Sequence, residues 1–143
     1  MSAGYSGTPL PRKLGIQWGH RVACLHAPAH FIGLLQPLPH DVELHDSLGT
    51  GPALHVIVLF ATSLALLPGQ FAQASARLRP DGGLWVAWPK KAAGVPTDVS
   101  ENVVRAVALA AGWVDNKVCA IDGTWSGLRC VMRVKDRPRG PTN

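Results

Sequence analysis

The run His55–Ala61 (HVIVLFA) constrains the fold more than any other stretch of this chain. It is continuously apolar and rich in β-branched residues, which is typical of a central strand buried on both faces of a parallel sheet. Strands that pair in parallel need long crossover connections, which are usually helices. We therefore expect Val56, Ile57, Val58 and Leu59 to be almost wholly buried, with helices on both faces of the sheet.

The other segments alternate between strand-like and helix-like patterns. Strands are predicted at Arg21–His26, Asp41–His45, Gly83–Trp88, Val114–Ile121 and Leu128–Val134, and helices at His30–Gln36, Pro68–Leu78 and Val99–Ala111. Too few residues separate the last two strands for a crossover, so they must pair antiparallel. The pattern predicts a three-layer α/β fold whose mostly parallel sheet ends in an antiparallel C-terminal hairpin strand.

One turn and the two ends of one helix are marked by local chemistry. Pro80-Asp81-Gly82-Gly83 predicts a turn before a strand. Asp98 is the predicted N-cap of the helix after that strand, because Glu101 stands three residues on and completes a capping-box pattern. Gly112 is predicted to end this helix at the left-handed position.

Length and composition predict one domain, residues 1–143, of a soluble protein. The 47% apolar and 16% charged content is that of a compact globule. The longest apolar stretch, Val56–Leu67, is twelve residues long, whereas a membrane-spanning helix needs about 20. The first residues have no apolar signal core. We therefore expect a cytoplasmic protein with no membrane partner.

The net charge of +5 comes partly from the C-terminal end, where residues 136–143 are predicted to form a basic flexible tail. A role in nucleic-acid binding is not expected, because no predicted helix carries a basic stripe and no strand combines basic and aromatic residues.

Neither metal binding nor catalysis is predicted from the histidines and cysteines. His26 and His30 have a zinc-ligand spacing, but Pro28 between them argues against one continuous helix. The chain has no Gly-x-Ser-x-Gly elbow. The three cysteines lie in strand-like runs and are expected to be reduced, with a bridge between Cys119 and Cys130 as the alternative.

Several stretches resemble known proteins. LRPDGGLWVAW (Leu78–Trp88) and the ending GLRCVMRV are similar to the late turn-strand unit and the reversed last strand of the Rossmann-like methyltransferase fold. A narrower resemblance, to the bacterial domain-of-unknown-function family 3052, rests on three further stretches. They are GYSGTPLPRKLGI (Gly4–Ile16), WPKK with TDVSENVVR (Trp88–Lys91, Thr97–Arg105) and VDNKVCAIDGTWSGLR (Val114–Arg129). This resemblance implies the methyltransferase-like fold and no established activity.

Binding of S-adenosylmethionine (SAM) is not expected from the turn after the first strand. Dinucleotide-binding folds use glycines there so that the backbone can approach the ligand. Leu25–His30 contains no glycine, and Pro28 removes one backbone donor. Asp46, near the end of the second predicted strand, is available for ribose hydroxyls but does not outweigh the missing glycines. No cofactor is therefore predicted.

The predicted site lies where Lys90 and Lys91 follow the strand Gly83–Trp88. Ligands of open parallel sheets bind outside the carboxyl ends of the strands, and the start of the next helix adds free amides that favour anions. Residues 1–15 are expected to fold over this rim. The predicted ligand-binding residues are Lys90, Lys91, Asn102, Trp125, Ser126, Ser6 and Thr8.

These residues predict a pocket for a small anionic ligand of unknown identity. The lysines would supply charge, Trp125 a flat wall, and Ser6 and Thr8 hydroxyl donors. The alternative is a solvated loop in which Trp125 only anchors the hairpin.

Three functions remain open. The preferred one is a non-catalytic domain that binds a small molecule or a partner on a methyltransferase-like frame. The second is a divergent SAM-dependent methyltransferase. The third is a module that self-associates through some of its five tryptophans.

Overall fold

A computed structural model describes residues 7–138, which form a six-stranded sheet with helices on both faces. The strands lie in the order β2-β1-β3-β4-β6-β5. Their bounds are β1 Arg21–Leu25, β2 Glu43–His45, β3 Leu54–Phe60, β4 Leu78–Pro89, β5 Trp113–Ala120 and β6 Trp125–Met132. β2, β1, β3 and β4 are parallel, and β6 is antiparallel to both of its neighbours. The predicted mostly parallel sheet with a reversed C-terminal strand is confirmed.

The helices make the outer two layers. They are α1 Leu10–Lys13, α2 Phe31–Leu34, α3 Leu67–Ala76 and α4 Glu101–Ala110, with short 3-10 turns at Lys91–Ala93 and Val134–Asp136. One face of the sheet packs against Phe71 of α3 and Val104 of α4. The opposite face packs against Leu10 of α1 and Phe31 of α2. We call these the α3/α4 face and the α1/α2 face.

β3 is the central strand that the opening run predicts. It lies between β1 and β4. Val56 is 3% exposed, and Ile57, Val58 and Leu59 are wholly buried. The side chains alternate between the two faces, with Ile57 and Leu59 on the α3/α4 face and Val56 and Val58 on the α1/α2 face. Burial on both faces explains why the strand from Val56 to Phe60 has no polar residue.

Trp85 is the largest wholly buried side chain on the α1/α2 face. Its indole Nε1 donates a hydrogen bond of 3.0 Å to the carbonyl oxygen of Leu14, which directly follows α1. Leu10, Leu14 and Ile16 pack into the same core. Because these contacts span more than seventy residues of sequence, Trp85 fixes the amino-terminal segment onto the sheet.

The predicted helix cap is wrong by two residues. The N-cap of α4 is Ser100, whose hydroxyl accepts from the Val103 amide. Asp98 instead accepts a 2.7 Å hydrogen bond from the Leu64 amide through Oδ1, so its carboxylate is committed to the loop after β3. Gly112 has the predicted left-handed backbone, with φ of 86°.

Two strand starts were also predicted wrongly. Pro80–Gly83 is not a separate turn but part of β4, where the register with β3 shifts between the pairs Leu54↔Leu78 and Val56↔Gly83. β6 begins at Trp125 rather than Leu128, since Asp122 closes a tighter turn than expected.

The three cysteines are free, as expected. Cys119 lies opposite Gly127 and Cys130 opposite Asp115, so the alternative bridge is not formed. Burial raises the pKa of the Cys24 and Cys130 thiols to about 12, which makes both unreactive near neutral pH.

None of the helices between residues 7 and 138 has the length and apolar character that crossing a bilayer requires. Within the same range no group of three or more His, Cys, Asp or Glu side chains is arranged to hold a metal ion.

Candidate functional site

The connections reverse direction between β1 and β3. After β1 the chain runs to β2, on one side of β1, and the connecting helix α2 lies on the α1/α2 face. After β3 it runs in the opposite direction to β4, and the connecting helix α3 lies on the α3/α4 face. The two loops therefore diverge and open a crevice outside the carboxyl ends of β1 and β3. Open α/β sheets bind ligands in such a crevice.

The turn after β1 is tight although it lacks glycine. His26, the first residue beyond the strand, has a left-handed backbone with φ of 58°. Histidine is among the residues that adopt this conformation more often than most. The backbone of Ala27, Pro28 and Ala29 then leads into α2. The chain therefore turns here without the expected glycine, because His26 adopts the left-handed conformation.

A carboxylate stands at the end of the neighbouring strand. Asp46 directly follows β2 and is exposed. Within residues 7–138 its side chain makes no hydrogen bond or ion pair. A free carboxylate at this position of a nucleotide-binding α/β fold accepts hydrogen bonds from ribose hydroxyls.

Two clefts flank the end of β1 and share His26 and Asp46 in their walls. The larger has a volume of about 640 Å³ and runs past the turn to Ile32 and Leu44. The smaller has a volume of about 270 Å³ and lies on the α3/α4 face. Its remaining lining residues are Leu25, Ser47, Leu48, Leu59, Gln70 and Gln73. The smaller cleft thus combines apolar walls with two side-chain amides and a hydroxyl.

A histidine and a carboxylate meet across the same end of the sheet. His30 Nε2 lies 2.7 Å from Asp122 Oδ2, joining the loop after β1 to the turn after β5. The His30 side chain is 56% exposed and that of Asp122 is 19% exposed. Asp122 Oδ1 also accepts 2.8 Å hydrogen bonds from the amides of Thr124 and Trp125.

The pKa of Asp122 is lowered from its ordinary value. Burial alone would raise this pKa, but the hydrogen bonds from His30, Trp125 and Thr124 outweigh burial. Asp122 is therefore a carboxylate at neutral pH. It orients the imidazole of His30 so that the ring's other nitrogen, Nδ1, is left for a ligand.

The predicted lysine rim is assembled in part. The Lys90 amide donates a 2.7 Å hydrogen bond to the carbonyl oxygen of Thr124, and Ser126 pairs with Trp88, so the hairpin turn does adjoin the lysines. The side chains of Lys90 and Lys91 make no hydrogen bond or ion pair with residues 7–138.

Other members of the predicted rim lie on different faces. Trp125 packs on the α1/α2 face, edge-on to Phe60 with ring centroids 5.0 Å apart. Asn102 is exposed in the first turn of α4, which packs on the α3/α4 face. Thr8 is half-buried. Ser6 lies outside the described residues, so the covering of the rim by residues 1–15 stays a prediction.

Several solved structures that share this fold are methyltransferases. A putative type 11 methyltransferase from Sulfolobus solfataricus superposes with a TM-score of 0.65 at 10% identity, covering 97% of this chain and 98% of its own. A SAM-dependent methyltransferase from Aquifex aeolicus gives 0.60 at 15% identity, with 89% of each chain covered. Magnesium protoporphyrin IX methyltransferase from Synechocystis PCC 6803, with bound SAH, gives 0.52 at 9% identity, covering 80% of this chain and 75% of its own.

No protein-family model and no curated protein matches this chain. Its assignment to domain-of-unknown-function family 3052 therefore stays a prediction, whereas the Rossmann-like methyltransferase fold is established by the structural matches.

The prediction that SAM is not a cofactor is contradicted by these matches, since proteins that share the fold over most of the chain are SAM-dependent methyltransferases and one of them holds SAH. The physical reason for the error is the left-handed His26, which replaces the expected glycine.

Sequence reasoning missed most of the crevice. The sequence places Asp46 near the end of the second predicted strand, but the prediction of no cofactor gives it no role. Gln70, Gln73 and Leu48 carry no local motif, and His30 and Asp122 are separated by 92 residues. These residues could have been identified from the order of the strands in the sheet, because that order places the crevice between β1 and β3.

Proposed function

We propose that this protein is a SAM-dependent methyltransferase whose cofactor lies in the crevice between the ends of β1 and β3. The observation that carries the proposal is the pairing of the left-handed His26 turn with the free carboxylate of Asp46 at the switch point of the strand order. The fold shared with SAM-dependent methyltransferases supports it. This replaces the preferred sequence-based reading of a non-catalytic binding domain.

The side chains around the crevice fit such a cofactor. Asp46 is placed to accept hydrogen bonds from the ribose hydroxyls. Leu48 and Leu59 offer apolar surface for the adenine ring, and Gln70 and Gln73 offer amides for its polar edge. The larger cleft past His26 leaves room for the amino-acid end and for a methyl acceptor.

When bound, the cofactor supplies an electrophilic methyl group on a sulfonium sulfur. The chain contributes position and proton transfer. Holding the acceptor atom close to that methyl group provides a large part of the rate enhancement. If the acceptor is a hydroxyl or a protonated amine, His30 is the group to take its proton. With Nε2–H donated to Asp122, Nδ1 carries the lone pair that would act as the base.

Calorimetric titration with SAM tests the proposal. We expect the wild-type protein to bind with a Kd on the order of micromolar. Asp46→Asn keeps the shape but weakens the bonds to the ribose hydroxyls, so its Kd should rise about tenfold. Asp41→Asn is the matched control, because Asp41 is also exposed and precedes β2 at the opposite end of that strand.

A second pair of variants tests the turn. His26→Gly should retain SAM binding, because glycine adopts a positive φ without cost, whereas His26→Val should lose it. Absence of SAM binding in the wild type, or equal affinities of Asp46→Asn and Asp41→Asn, would refute the proposed site.

The lysine rim is the second candidate site, for a small anion. The specific observation in its favour is the hydrogen bond from the Lys90 amide to Thr124, which holds the hairpin turn beside two lysines without described partners. Self-association through exposed tryptophans depends on Trp18 alone, which is 70% exposed, because Trp85, Trp88 and Trp113 are buried and Trp125 is half-buried.

A further inference from the structure

A separate cavity of about 450 Å³ lies at the other end of the sheet from the proposed cofactor crevice. It opens on the α1/α2 face, where β3 and β4 begin and where the segment after α1 crosses the sheet. The side chains that matter for its chemistry are Lys13, Lys117, Arg129, His20, His55 and Asp81. Nothing in the proposed methyl transfer uses them.

Arg129 is the unusual member of this group. Its side chain is half-buried, and it makes no hydrogen bond or ion pair with residues 7–138. The guanidinium lies directly against Gly83, where an added Cβ would come within 2.8 Å of the guanidinium carbon Cζ. Glycine at this position therefore makes room for the arginine across β4.

Burial lowers the pKa of Arg129 from its ordinary value, and the nearby Arg137 lowers it further. Arginine nevertheless remains charged in proteins. A half-buried charge without a partner is unfavourable, so a bound anion would remove a cost that the folded chain now carries.

The other cations of the cavity make no ion pair with a carboxylate between residues 7 and 138. The ammonium groups of Lys13 and Lys117 donate to backbone carbonyl oxygens, those of Ala120 and Lys13, each at 3.4 Å. The one carboxylate in the lining, Asp81, is paired with Arg79 at 3.1 Å. The cavity is therefore strongly positive.

His20 and His55 add neutral hydrogen-bond donors. Their rings stack with centroids 4.3 Å apart. The pKa of each is lowered, chiefly by burial and also by neighbouring arginines, so both rings are neutral at pH 7. Nδ1 of His20 accepts from the Gln17 amide and Nδ1 of His55 from the Arg21 amide. The proton of each ring is therefore on Nε2.

We propose that this cavity binds a small phosphate-bearing anion. The planar fork of Arg129 is suited to two parallel hydrogen bonds with phosphate oxygens, Lys13 and Lys117 supply further charge, and the histidine Nε2–H groups donate. The volume is within the range of small-molecule sites. Because the cavity and the crevice are at opposite ends of the strands, this proposal stands or fails independently of the proposed methyltransferase function.

Calorimetry with inorganic phosphate and pyrophosphate on the full chain tests the proposal. We expect pyrophosphate to bind more tightly, and binding to weaken as salt is raised. Arg129→Gln should raise the Kd about tenfold or more, and Lys117→Gln about threefold. Arg105→Gln makes the same charge change on the opposite face of the sheet, where Arg105 pairs with Glu101 and Asp115, and should alter the Kd less than about twofold.

A direct readout is the NMR signal of the Arg129 Nε–H group, which should shift on titration with pyrophosphate. If Arg129→Gln does not fold, the proposal is still tested by the Kd of the variant Lys117→Gln, whose lysine is exposed, and by the Arg129 signal of the wild type. The proposal is overturned if neither anion binds, if the Arg129 signal does not move, or if Arg105→Gln weakens binding as much as the cavity variants do.

Discussion

Replacing Trp85 with phenylalanine should destabilise the protein strongly while leaving its fold intact. Trp85 is wholly buried, and its indole donates the 3.0 Å hydrogen bond to the Leu14 carbonyl. Phenylalanine keeps an aromatic ring in the core but has no donor. A buried carbonyl left without a partner costs about 1–3 kcal/mol, and the smaller ring leaves a cavity that adds about 1 kcal/mol.

The expected loss for Trp85→Phe is therefore about 2–4 kcal/mol in the free energy of unfolding. For a chain of this length that corresponds to a fall in Tm of roughly 6–15 °C. Urea denaturation followed by far-UV circular dichroism measures the loss without relying on tryptophan fluorescence.

Trp18→Phe is the matched control, because Trp18 is 70% exposed. This change should alter the free energy of unfolding by less than about 0.5 kcal/mol. If the two variants are equally stable, Trp85 does not hold the segment after α1, and the packing described for the α1/α2 face is refuted.

Three further predictions concern the core, the rim and the histidine–aspartate pair. Val58→Asp places an unpaired carboxylate in the centre of β3 and should cost about 4 kcal/mol or more in urea denaturation; a cooperatively folded variant of unchanged Tm would contradict the placement. The double change Lys90→Ala and Lys91→Ala should leave Tm nearly unchanged, since surface lysines contribute little to folding. Made in the Arg129→Gln variant, the same double change should remove any salt-sensitive phosphate binding that remains. If the residual binding is the same with and without the two lysines, the rim is not an anion site. Because the pKa of folded Asp122 is below its ordinary 3.8, its stabilisation is present above that pH and lost as the pH falls. Between pH 7 and pH 3 the urea midpoint of Asp122→Asn should therefore fall less than that of the wild type. If the midpoints of the two proteins fall in parallel with pH, Asp122 does not have this role.

The strands of the fold were predictable because they carry their signals locally. The run His55–Ala61 is buried on both faces and therefore shows no alternation, and the short connection between the last two strands excludes a crossover. The start of β6 was predicted three residues late, because Trp125-Ser126-Gly127 resembles a turn in composition. The actual turn is closed by Asp122, which accepts from the amides of Thr124 and Trp125.

The candidate site was less predictable because its contacts are distant in sequence. Whether Asp98 or Ser100 caps α4 depends on the Leu64 amide, which belongs to another loop. The pairing of His30 with Asp122 depends on the packing of α2 over the sheet. The left-handed conformation of His26 could not be read from composition, which suggested only that glycine was missing.

A crystal structure of the protein grown with SAM tests the central claim most directly. The account predicts density for the cofactor between His26 and Asp46, with the ribose hydroxyls on the Asp46 carboxylate and the adenine ring between Leu48 and Leu59. Cofactor density at the Lys90 and Trp125 rim, or an empty crevice at saturating SAM, would contradict it.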